Sequence, residues 1–153
     1  MSGGVAPVPR RARAFQGQRA GVFSRLAAAV VDTLVVGALL ATGYAMITGL
    51  LFMLDPRAFA FPRASLAFNM TAAFVVTVVY LSAGWALAGR SYGKVVMGLR
   101  VLGPRGRRLR LPGALLRALA CTLLPIGLLW CAVSPQNRSL QDLLLRTSVV
   151  YDW

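Results

Sequence analysis

Apolar positions along this chain come in long unbroken runs rather than in alternation. The first run, Leu26 to Leu54, holds a single charge, Asp32. The second, Leu66 to Ala88, holds none, though it carries Asn69, Thr71, Thr77 and Ser82. A helix needs about 20 residues to cross the hydrocarbon core, so both runs predict transmembrane helices. The first is longer and can tilt or protrude. Asp55-Pro56 ends it, and a short loop with Arg57 and Arg63 leads to Ser65. A third apolar segment, Pro112 to Val133, opens on a proline suited to the first turn of a helix. Pro125-Ile126-Gly127 interrupts it, and Pro125 removes a helical hydrogen bond there. The segment is therefore either a kinked span or a re-entrant hairpin, the latter tolerated only where protein or water covers its backbone. The expected fold class is an all-α integral membrane protein with two clear transmembrane helices and this third, proline-broken segment.

The polar stretches divide the chain further. Residues 1–23 are rich in Gly, Pro, Ala and Arg and are expected to form a disordered basic tail, with a transmembrane domain over residues 24–150. The tail does not have the form of a signal peptide, because the apolar run behind it is too long and no small-residue cleavage site closes it. Between the second and third segments lies a loop with Arg90, Lys94, Arg100, Arg105, Arg107, Arg108 and Arg110 and no acid. Its stretch "VVMGLRVLGPRGRRLRL" predicts a short β-hairpin or an interfacial segment. "TSVVY" near the end predicts a short strand. The positive-inside rule places both the basic tail and residues 89–111 in the cytoplasm, two spans apart.

Composition agrees with the membrane class: 58% of residues are hydrophobic and 14% charged. The net charge of +13 arises from 17 basic residues against four aspartates, with no glutamate and no histidine. The arginines flank apolar segments, where they are expected to set orientation and meet anionic lipid headgroups. The motifs of common nucleic-acid modules are missing, so nucleic acid is not an expected partner. Cys121 and Cys131 are ten residues apart, which is neither a zinc nor a redox spacing. "GRSYGK" is one residue short of a phosphate loop and has Val95 where that loop needs Ser or Thr. Without histidine, Ser82, Ser91 and Ser139 lack that activating base. Neither enzyme chemistry, a metal site nor a cofactor is expected. Trp85, Trp130, Tyr92 and Trp153 suit an aromatic belt at the interfaces.

One acid then stands out. Asp32 lies seven residues, two helical turns, beyond Arg25, on the same face and about 10 Å along the axis. Buried alone in an apolar run it would be costly, so it needs a partner or a task. Arg25, Arg117, the polar residues of the second span and an ion from solution are the candidates. A static pair and a cation or proton site remain open readings.

The residues around these charges resemble the RDD family of membrane proteins, named for one arginine and two aspartates. "AGVFSRLAAAVVDTLVV" is similar to the family's first helix, with Arg25 and Asp32 at its arginine and first aspartate. "GRSYGKVVMGLRVL" resembles its Gly-Lys…Gly-Leu-Arg-Val segment, and "LPGALLRALACTLLP" its later arginine-bearing helix, here with Arg117. "SPQNRSLQDLLLRTSVV" is similar to its closing stretch, which makes Asp142 the second aspartate. One departure is Leu144-Leu145-Arg146, where the family usually carries a small Ala-Gly pair. The resemblance implies a membrane protein with a possible role in transport, sodium/proton exchange being suggested for some members.

If the third segment crosses fully, Asp142 ends outside, far from Arg25 and Asp32. If it is re-entrant, Asp142 can join them at the inner mouth and "TSVVY" can pair with "GLRVL". The second arrangement is preferred because it gathers the charges of the pattern. The expected function is transport of an ion or small ligand with Asp32 as intramembrane site. The alternative is a non-catalytic assembly protein in which Asp32 is a structural contact. Either way the expected partners are the bilayer and further protein, as an oligomer or a membrane partner, because one copy is too thin to enclose a pathway.

Overall fold

The computed structural model describes residues 17, 18, 20–103, 109–124, 130, 139–145 and 147–152. Helix α1 spans Val22–Leu54 and α2 spans Leu66–Leu87. At 1.5 Å per residue they are about 50 and 33 Å long, and both are long and apolar enough to cross a membrane. Asp55 closes α1: its N–H bonds Leu51 O at 3.2 Å, and its carboxylate accepts from the Arg57 and Ala58 amides. Ser65 opens α2 by accepting from Phe68 N at 3.2 Å, which satisfies one of the free amides of the first turn. Beyond these caps the outer surfaces are apolar, with Leu34, Met46, Phe68 and Met70 all exposed. Such surface suits lipid.

Only one stripe of each long helix is buried. On α1 it is Arg25, Ala28, Asp32 and Val36, and on α2 it is Val78, Leu81 and Trp85. The spacing of three and four residues is that of one helix face. Both charges of α1 therefore lie on its packed side. After α2 comes a five-residue helix, α3 (Tyr92–Val96), and then strand β1 (Leu99–Leu102). Helix α4 (Leu111–Leu123) has Pro112 in its first turn and packs along α2. It stops at Leu124, so the expected break at Pro125 lies outside the described residues. A short helix, α5 (Leu140–Leu144), precedes β2 (Ser148–Tyr151).

β1 and β2 pair antiparallel, with Leu99 opposite Tyr151 and Val101 opposite Val149. Leu99, Val101 and Val149 are fully buried and join Trp85, Ala114 and Ala118 in the core. The strand expected in the basic loop is thus β1, and its partner is the "TSVVY" strand, as the preferred arrangement expected. Gly17 N and Ala20 N donate to β2, and Tyr151 N donates to Gln18 O. The tail was expected to be loose as far as residue 23. Its last part is instead tied to β2 by backbone bonds, and α1 already begins at Val22. The start of α1, the end of α2 and the sheet therefore gather at one end of the helices, together with the start of α4.

Gly84 is a point of close approach on α2. What approaches is the turn after α2, because a Cβ at Gly84 would lie 3.1 Å from Arg90 O.

Candidate functional site

Two buried carboxylates organise this end of the molecule. Asp142, on α5, is 1% exposed. The sequence "SLQD" builds its local frame. Ser139 Oγ accepts from Asp142 N at 3.1 Å, and the Asp142 carboxylate accepts in return from Ser139 N at 3.4 Å. This is a capping box with aspartate in the acidic position. The outward side of the same carboxylate receives Arg25 Nη1 from α1, Arg117 Nη2 from α4 at 2.6 Å, and the Thr147 hydroxyl at 3.2 Å. Arg117 Nη1 also donates to Thr147, and Arg25 Nε donates to Ala20 O at 3.1 Å. Burial pushes the Asp142 carboxyl up, but Arg117 and Arg25 outweigh it and hold the group at about 2. Asp142 thereby ties the C-terminal segment to two separate helices.

Asp32 has a different set of partners. Oδ1 accepts from Tyr80 OH and from Gly93 N, both at 2.8 Å, and Oδ2 accepts from Ser91 Oγ at 2.6 Å. Lys94 Nζ stands 3.9 Å from Oδ2. The second span does supply a partner, but through Tyr80 rather than Asn69, Thr71, Thr77 or Ser82, the residues singled out on it. Arg25 and Arg117 go to Asp142 instead, because α5 returns to their level. Ser91, Gly93 and Lys94 were not foreseen as partners. The signal for them is local: a glycine followed by the chain's one lysine, two residues after a serine.

Lys94 was expected at lipid headgroups. The structure turns it inward, its side chain 13% exposed, with its ammonium 4.6 Å from the centre of the Trp85 ring. The reason is Gly93, which lets α3 lie directly on α1 and turns the next side chain inward. Burial lowers the Lys94 pKa, Asp32 raises it and Arg117 lowers it again, leaving it at about 8. Arg117 lies against the same ring at 5.2 Å, so one indole meets the cations of both centres. Trp85 is 1% exposed and is part of the core, not of an interfacial belt.

Of the other arginines expected at headgroups, Arg100 pairs with Asp152 at 2.6 Å, and Arg90 donates to Asp152 O at 3.4 Å. The β1–β2 pairing brings Asp152 to them, since its N–H bonds Gly98 O at 2.8 Å. Arg110 is exposed just before α4, and Arg105, Arg107 and Arg108 lie outside the described residues.

A cavity of ≈ 210 Å³ adjoins both centres, lined by Arg25, Asp32, Lys94 and Arg117 with Tyr80, Trp85, Cys121 and Ser139 among its other walls. It lies between α1 and α4, which both flank α2 without packing closely on one another.

Replacing Asp32 by asparagine separates its charge from its hydrogen bonds. The amide oxygen can keep Gly93 N and Tyr80 OH, and the Ser91 hydroxyl can turn to accept from the new NH₂. The attraction for Lys94 is what is lost. Asp32→Asn is expected to cost about 1–3 kcal/mol and still accumulate, as a thermal melt in detergent would read.

The sequence profile of the RDD family matches residues 19–146. No curated protein and no solved structure matches the chain.

Proposed function

The chain is a membrane protein of the RDD family, and on that premise we propose that it is a non-enzymatic, multi-pass protein of the plasma membrane that takes an ion or small ligand into the charged cavity and passes it across the bilayer. The observation that carries this reading is the cavity itself. Arg25, Asp32, Arg117 and Asp142 are buried, Lys94 is half-buried beside them, and ≈ 210 Å³ of space is left next to the group. A clamp with only a structural task gains by closing over its charges, because leaving polar groups imperfectly paired costs stability. Space beside buried charge is what a ligand site needs.

One observation favours the second reading, a fixed polar contact, for Asp32 alone. Its carboxylate accepts three hydrogen bonds, from Tyr80, Gly93 and Ser91, which tie it to α2 and α3. Asp32 is therefore assigned the role of positioning Lys94 and α3, while the cavity holds the ligand. A single copy encloses no complete pathway with two long helices, so the working unit is an oligomer. The basic tail and residues 89–111 face the cytoplasm, and the C-terminus shares that side because β2 pairs with β1.

The test is flux. The full chain is reconstituted into liposomes holding a pH-sensitive dye and challenged with gradients of sodium chloride and potassium phosphate. Protein-dependent flux is expected with at least one salt, falling roughly tenfold in Lys94→Gln, equivalent to about 1.4 kcal/mol. No protein-dependent flux with either salt would overturn transport. A compartment-sensitive reporter after Trp153 is expected to read cytoplasmic, and an external signal would overturn the orientation.

A further inference from the structure

Five charged side chains meet at the cavity end, and their charges do not cancel. Arg25, Lys94 and Arg117 bring three positive charges, and Asp32 and Asp142 bring two negative ones. The chain has only two further acidic side chains. Asp152 is paired with Arg100. Asp55 caps the far end of α1, 23 residues and about 35 Å from Asp32 at the usual helical rise. No other side chain of the sequence can supply the missing negative charge. An excess charge held out of water is costly unless something of opposite sign joins it.

The excess is not spread evenly. At the Asp142 centre, the two guanidiniums share one carboxylate and are held by Thr147 and the Ala20 carbonyl as well. At the Asp32 centre, the ammonium of Lys94 has three N–H donors and, among the described residues, makes one hydrogen bond, to Ser91 Oγ at 3.4 Å. Its distance of 3.9 Å to Asp32 is beyond hydrogen-bond reach. Asp32 cannot come closer without losing Ser91, Tyr80 or Gly93. Lys94 thus lines the cavity with donors to spare, while Arg25 and Arg117 add positive potential from its other walls.

We infer that the cavity is a site for one singly charged oxyanion, a carboxylate or phosphate ester, bound by Lys94 between α1 and α4. It rests on the reading of the cavity as a ligand site and names the ligand's class. A volume of ≈ 210 Å³ accommodates such a group with a few atoms of its carrier, given that a water molecule takes about 30 Å³ of liquid. Of the remaining walls, Ala29, Val36, Leu81 and Val149 are apolar and suit an aliphatic carrier, while Thr33, Thr77 and Thr122 donate their hydroxyls to carbonyls of their own helices. Both a dissolved organic anion and the phosphodiester of a lipid headgroup have this chemistry.

Detergent-purified full chain is melted at constant ionic strength with sodium acetate, inorganic phosphate or short-chain phosphatidylglycerol, against sodium chloride alone. A saturable rise in Tm of about 5 °C or more is expected with at least one probe. Stabilisation by acetate or phosphate identifies a dissolved anion, and stabilisation by the lipid alone identifies a headgroup. Lys94→Gln is expected to weaken binding at least tenfold, and it removes the unbalanced charge, so it should fold. Ala29→Phe fills the cavity without altering charge and is expected to abolish the shift. If all three probes fail, or if both variants respond as the wild type does, the anion site is overturned. A shift with increasing sodium chloride but none with the anions would overturn the ligand class and leave the ligand-site reading standing. No shift with any salt or lipid would remove both.

Discussion

Asp142→Asn is expected to lose about 3–5 kcal/mol, the cost of removing one partner from a buried ion pair, and to lower Tm in detergent by about 10 °C. The size follows from what the partners are. Around Asp32, two of the donors are hydroxyls that can turn and accept. Around Asp142 the main donors are Arg25 and Arg117, and a guanidinium has no acceptor to offer. An asparagine amide set between them would point its own N–H groups at one guanidinium. The negative charge that both need would also be gone. Asp142 further joins the start of α1, the middle of α4 and the segment before β2, so its loss loosens three elements at once. The pH dependence gives a second readout. Its pKa is lowered from 3.8 to about 2. Its stabilisation is therefore complete above pH 3.8 and is lost as pH falls through about 2. The gap between wild type and Asp142→Asn should be constant near neutrality and narrow in that acid window. A variant that melts with the wild type at pH 7 would show that the two arginines find their counter-charge elsewhere.

Much of this architecture was legible because it is written in uninterrupted apolar runs. The two long helices, their ends at Asp55 and Ser65, and Pro112 at the start of a third helix all follow from local chemistry. Arg25 and Asp32 could be placed on one face by counting residues, and the structure buries both on a single stripe. The partners of Asp32 were another matter. Tyr80, Ser91 and Gly93 reach it across 48, 59 and 61 residues of sequence, and no helical period connects such positions. Lys94 was misread for a related reason. Counted with six arginines in a basic loop, it looks like one more headgroup contact. In the folded chain it belongs to a five-residue helix whose orientation depends on a close approach to α1. Asp142 was singled out only through its likeness to a family pattern. The capping box from Ser139 was a local sign that it begins a helix, but the two arginines that meet it come from opposite ends of the sequence.

The two carboxylates thus divide the work along the chain. Asp142 closes the fold, joining its N-terminal and C-terminal portions through arginines that cannot lose their charge. Asp32 positions a lysine that can, since Lys94 is lowered to about 8 from 10.5. Trp85 offers its ring to both Lys94 and Arg117, at 4.6 and 5.2 Å. A fixed tie beside a titratable cation and an open cavity is the combination on which the proposed ligand site rests.

Gly93→Ala should be as damaging as the loss of Asp142, although it adds one methyl group. A Cβ at position 93 would fall well inside the van der Waals radius of Ala28 O and 2.9 Å from the Asp32 carboxylate carbon. Ala28 O belongs to the backbone of α1, so no rotamer change relieves the overlap. Either α3 lifts from α1 or α1 bends. Overpacking in a close contact costs about 1–3 kcal/mol. Lifting α3 also withdraws Gly93 N and moves Ser91 and Lys94 away from Asp32, which uncovers a buried acceptor at about 1–3 kcal/mol more. A total of roughly 3–5 kcal/mol is expected, together with loss of any ligand shift that depends on Lys94. The comparison with Gly84→Ala makes the test specific. There the nearest atom is 3.1 Å away, in a turn that can give by a few tenths of an ångström, so a milder loss of about 1 kcal/mol is expected. Thermal melts of the two variants in one detergent would separate them. If Gly93→Ala melts no lower than Gly84→Ala, then α3 is not pressed against α1, and the placement of Lys94 at the cavity loses its structural basis.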